Sequence, residues 1–99
     1  MNPDAVEFTT SARVELDEAL ASLAARNPGA ATRLRAAIGA TLATLAAPHP
    51  RVDGRAARLH TGVPCRHRYV HPVTLYYDRA PGVVVVLHVW HHAREPIAR

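Results

Sequence analysis

The chain has 99 residues, 48% of them apolar, which suits one folded domain over residues 1–99 and excludes a disordered tail or a second core. Its formal charge of +4 is uneven: residues 1–25 hold five acids and one base, while residues 26–99 hold eleven arginines, no lysine and three acids. That basic part should attract nucleic acid or an acidic protein segment, one cysteine rules out an internal disulfide, and no apolar run reaches membrane-spanning length.

The opening "AVEFT" (5–9) alternates, with Val6 and Phe8 on one side and Glu7 on the other, and predicts a strand. Thr9 or Thr10 can then cap a helix. Residues 11–25 place Ala12, Leu16, Leu20 and Leu23 on one helical face. Glu15, Asp17 and Glu18 are read as early acids that favour the positive end of the helix dipole.

"NPG" (27–29) breaks the chain, with Asn27 as the next N-cap and Pro28 at the first helical position. Ala31, Leu34, Ile38, Leu42 and Leu45 form a second stripe up to about Ala47, with Arg33 and Arg35 off it. "PHP" (48–50) ends that helix. So short a linker predicts an antiparallel helical hairpin.

From residue 51 the pattern changes. "RVDGRAARLHTGVP" reads as a basic connection with a short strand near Arg58–His60. "CRHRYV" (65–70) puts Cys65, His67 and Tyr69 on one side and Arg66, Arg68 and Val70 on the other. "HP" (71–72) marks a turn, "VTLYYD" (73–78) a strand and "RAPG" (79–82) a loop. "VVVVLHVW" (83–90) is the longest strand, and regular alternation puts Val83, Val85, Leu87 and Val89 on one face and Val84, Val86, His88 and Trp90 on the other. Apolar on both sides, it should be the central, doubly covered strand. The helices can cover only one face; a partner chain is one candidate for the other. The fold class is α+β: an N-terminal strand, an α-helical hairpin, then a three- to four-stranded antiparallel sheet.

This ordered series resembles the RelE/ParE superfamily of type II toxin–antitoxin toxins, and its ParE branch most. The matching pieces are "VEFTTSARVELDEALASLAARNPGAATRL", "LATLAAPHPRVDGR", "PCRHRYVHPVTLYYD" and "VVVLHVWHHAREP". Pro64 and Cys65 depart from the glycine often found before the arginine of that strand. The resemblance implies a toxin that acts on DNA gyrase and a cognate antitoxin whose acidic C-terminal segment wraps it. DNA is then met only indirectly, through the antitoxin. The alternative it implies is a RelE-like ribosome-dependent mRNA endonuclease toxin.

Either function is cytoplasmic, and "MNPDAVEF" lacks the basic start and apolar middle of a signal peptide. A nuclease would draw on Arg66, Arg68, Tyr77 (or Tyr76), His91, His92 and Arg94 to hold phosphate and move protons. On the favoured reading nothing is catalytic, so the chain leans away from being an enzyme. Trp90, His91, His92 and Arg94, within a tail from Trp90 to Arg99, then meet the target. Arg33, Arg55, Arg58, Arg66 and Arg68 meet antitoxin acids, and a cluster of Arg51, Arg55 and Arg58 is read as a solvated face.

A metal site from His88, His91 and His92 with His67 or His71 fits no metal-binding spacing, Asp78 and Glu95 do not obviously converge on it, and no metal or cofactor is expected. Cys65 is read as a small apolar strand residue, not a nucleophile. Gly54 and Gly62 are read as turn residues outside any phosphate-cradling loop.

Overall fold

The computed structural model describes residues 2–92. Strand β1 (Ala5–Phe8) leads to helix α1 (Thr10–Arg26) and helix α2 (Pro28–Ala46). Strands β2 (Arg55–Arg58), β3 (Pro64–Val70), β4 (Val73–Ala80) and β5 (Val83–His91) follow. They form one five-stranded sheet in the order β1-β5-β4-β3-β2. Only β1 runs parallel to its neighbour, β5; the other pairs are antiparallel.

Local chemistry sets the helix ends. Thr9, not Thr10, caps α1, with its hydroxyl accepting from the Ala12 N–H. Asn27 closes α1 and caps α2 through its side chain, and Pro28 follows at the first helical position. The helices run back along each other: one groove between them takes Ala24 and Pro28 beside the joint, and Asp17 and Arg35 farther off. Ala12, Leu16 and Leu20 of α1 and all five apolar stripe residues of α2 are buried, while Leu23 is half-buried. The first turn of α1 holds no acid. The helix starts too early for Glu15, Asp17 and Glu18 to sit at its positive end.

The sheet differs from the expected one in four places. The short strand is Arg55–Arg58, upstream of Arg58–His60, because the chain already turns after Leu59. β4 runs on to Ala80, leaving only Pro81 and Gly82 as the turn. Gly82 has φ +75°, the left-handed conformation that a type II turn needs after proline. The doubly covered strand is β4, whose Val73–Tyr77 are all buried, rather than β5.

The fourth difference is a β-bulge. Tyr76 pairs with His88 but Tyr77 pairs with Val86, so Leu87 is the extra residue in β5. Alternation flips there. Val84, Val86 and Val89 face the helices, in a core with Leu75 and Tyr77. Leu87 and Trp90 pack on the opposite face against Cys65 and Tyr76. Ala57 and Leu59 of the β2–β3 hairpin join that second cluster, so the chain itself covers part of the outer face.

Candidate functional site

The sheet register divides the arginines. Ala56 pairs with Arg66, which pairs with Tyr77, and Arg68 pairs with Leu75. Tyr77 and Leu75 face the helices, so Arg66 and Arg68 do too, Arg66 exposed and Arg68 half-buried. Arg58, opposite Pro64, shares that face. Arg55 pairs with His67 and lies on the other face. The expected Arg51, Arg55 and Arg58 cluster is therefore dispersed: Arg51 meets Asp4 at 3.5 Å, and Arg58 donates to the Gly62 carbonyl at 2.7 Å. Arg33 is exposed on α2, in a groove that also takes His71 and Pro72.

A latch fixes the loop that feeds β2. The Tyr77 hydroxyl accepts from the Gly54 N–H at 2.5 Å and lies 3.4 Å from Asp53 Oδ1, placed to donate to it. Arg79 donates to the same Asp53 oxygen at 2.7 Å and to the Val52 carbonyl at 2.7 Å. Arg66 adds a bond to the Gly54 carbonyl at 3.2 Å. A Cβ at Gly54 would run into the His67 carbonyl, so this position needs glycine for close approach, not for a turn.

Partial burial raises the Asp53 pKa. The hydrogen bond and charge of Arg79, the charge of Arg66 and the Tyr77 hydroxyl outweigh it and hold the carboxyl below its ordinary value. Burial pushes the Tyr77 hydroxyl up. With 0% exposure, that phenol is an internal strut and is not placed to reach a substrate.

The adjacent histidines part company. His91 pairs with Val73 and so shares the helix-side face. His92 turns outward: its Nε2 lies 2.7 Å from Thr74 Oγ1 and its ring meets Tyr69 edge-on at 4.9 Å. Arg94 lies outside the described residues, as does most of the expected Trp90–Arg99 contact. Trp90 is half-buried opposite Thr74.

The remaining candidates have local partners. His88 Nδ1 lies 3.1 Å from Glu15, His67 stacks on Tyr76, and the Tyr69 hydroxyl and His71 Nδ1 share a hydrogen bond. Among the described residues, no three His, Cys, Asp or Glu side chains converge in a way that could hold a metal. Burial raises the Cys65 thiol pKa, and the Asp78 charge adds to it, opposite to what a nucleophile needs.

A sequence-family model described as the ParE toxin of the type II toxin–antitoxin system parDE matches residues 6–96. The chain belongs to the ParE toxin family. Its fold is also that of a solved structure, the chromosomal ParDE TA system from P. aeruginosa, with a TM-score of 0.69 at 14% identity. That alignment covers 89% of this chain and 95% of the other. No curated protein sequence matches.

Within this ParE-family chain, two features escaped the sequence reading. Glu15 seals the edge of β5 past the end of β1, accepting from the Val89 N–H at 3.0 Å. Tyr69, 53% exposed, is the largest bared ring of the sheet. Its side was readable from the alternation of 65–70, but its exposure was not, because β2 stops opposite His67.

Proposed function

We propose that this ParE-family toxin inhibits DNA gyrase in the cytoplasm and is neutralised by a cognate antitoxin. The family match carries the proposal, since it runs from β1 to residue 96 and includes the tail after β5. Two features of the molecule support the division of labour. Arg58 of β2 and Arg66 and Arg68 of β3 share the helix-side face, where an acidic antitoxin segment finds several cations on adjoining strands. Arg33 extends that surface onto the helical hairpin. Trp90 and His92 stand at the other end of the sheet, and Trp90 has the size and partial burial of an interface anchor. His91 and Arg94 complete the proposed target contact.

The test is a supercoiling assay with purified gyrase, run beside primer extension on translated mRNA. The expected result is loss of supercoiling, intact mRNA, and recovery when antitoxin is added. Codon-positioned mRNA cuts with normal supercoiling would instead assign the chain to the ribosome-dependent nucleases.

A further inference from the structure

The outer face of the sheet has a character that the antitoxin and gyrase readings draw on only at Trp90 and His92. Cross-strand pairing lines up two rows on it. One runs Arg55, His67, Tyr76, His88; the other runs Tyr69, Thr74, Trp90. His92 joins the second row by bonding Thr74 and meeting the Tyr69 ring. Arg55, His67 and Tyr69 of this face, with Asp53, Gly54 and Arg68, line one open groove at the β3 edge of the sheet. β3 stays paired with β4 up to Val70, but on its other edge β2 ends opposite His67, so among the described residues no strand flanks Tyr69 on that side.

We propose that this groove binds a single-stranded polynucleotide without cleaving it. The Tyr69 ring, 53% exposed and steadied by His71 and His92, stands on an antiparallel sheet with helices behind it and offers a base its open surface on which to stack. Arg55 is always charged and among the described residues pairs with no carboxylate; it stands one strand away to take a phosphate. Tyr69 lies two residues beyond His67 along β3, a step of roughly 7 Å. The groove's one acid, Asp53, is bound to Arg79.

The two faces also divide the choice of partner. Arg58 and Arg66 on the helix-side face, without an aromatic ring between them, suit carboxylates; Arg55 and Arg68 in a groove with a phenol and an imidazole suit bases joined by phosphates. Stacking and phosphate contact ask nothing of the sugar, so DNA and RNA are both admitted, and comparing them identifies the source.

The full 99-residue chain is titrated into fluorescein-labelled oligo-dT and, separately, oligo-U, with anisotropy as the readout at several salt concentrations. Micromolar binding that weakens with salt is expected. Tyr69→Ala should weaken it about tenfold and Tyr69→Phe by less than about twofold. Arg55→Gln should reduce the salt slope by about 0.7. Both residues are exposed, and an unchanged melting temperature checks that the variants fold. Preference for oligo-U points to RNA, for oligo-dT to DNA, and either supports the groove.

No binding to either strand, equal binding of a duplex, or full binding by Tyr69→Ala would overturn the proposal. So would tighter binding of a glutamate-rich peptide that also needs Tyr69. Gyrase is absent from the assay, so its outcome is independent of the supercoiling result.

Discussion

The Glu15 carboxylate accepts the backbone N–H of Val89 at 3.0 Å, across 74 residues of chain. The same carboxylate meets His88 Nδ1, and Thr9, the cap of α1, donates its hydroxyl to the Leu87 carbonyl. β1 ends at Phe8, opposite Val86, so β5 would otherwise show an unpaired edge from Leu87 onward. Helix α1 supplies from side chains the bonds that a neighbouring strand would have made, at the point where the bulge has already turned β5.

Glu15→Ala leaves the Val89 N–H without its acceptor and should cost about 1–3 kcal/mol. Glu15→Gln keeps a carbonyl oxygen and should cost less than about 1.5 kcal/mol. Urea unfolding curves of the three proteins measure both. A loss below about 0.5 kcal/mol for the alanine variant would show that water replaces the carboxylate.

The loop latch yields a second prediction. Tyr77→Phe removes the acceptor for the Gly54 N–H and should destabilise by about 1–1.5 kcal/mol. Gly54→Ala drives a methyl into the His67 carbonyl and should cost about 1–3 kcal/mol. The two residues act on one contact, so the double variant should lose less than the sum of the singles. Full additivity in thermal melts would mean that Tyr77 and Gly54 act independently.

Acid should loosen the same latch. The folded Asp53 pKa lies below its ordinary value, so its ionised form is favoured in the folded state. That contribution is fully present above the unfolded value of about 3.9 and fades as pH falls through the lower folded value. The side chain is partly exposed, so solvent screening keeps the gain small, about 1 kcal/mol or less. Asp53→Asn should flatten the acid limb of stability against pH and leave the slope near neutrality unchanged. Tyr77 has the opposite sense: its raised pKa favours the neutral phenol, a contribution lost as pH climbs above about 10.

The helices were legible because apolar spacing and capping chemistry are local: Ala31, Leu34, Ile38, Leu42 and Leu45 can be read without knowing any partner. The bulge was not legible. "VVVVLHVW" is apolar on both parities, so nothing in its pattern marks the residue at which alternation flips, and His88 and Trp90 were put on the face of Val84 and Val86. Tyr77 looked like a donor for chemistry because its burial depends on residues 52–54 returning over it, a tertiary event without local trace. The arginines were visible as residue types, but only strand pairing separates Arg55 from Arg58, Arg66 and Arg68.

That separation gives the last prediction. If the helix-side face holds the acidic antitoxin segment, Arg58→Glu and Arg68→Glu should each weaken toxin–antitoxin binding by about tenfold or more, since a like charge is brought against the partner. Arg55→Glu should change it by less than about threefold, because that side chain lies on the opposite face. Arg68→Glu is the most direct probe: Arg58→Glu also breaks the bond to the Gly62 carbonyl, and Arg66→Glu breaks the bond to the Gly54 carbonyl and disturbs the loop latch. Calorimetric titration at two salt concentrations separates the cases, because an exposed charge contact weakens as salt rises whereas an apolar one does not. Equal losses for Arg55→Glu and Arg58→Glu would mean that the antitoxin wraps the sheet edge and grips both faces, so the helix-side arginines alone would not define its site.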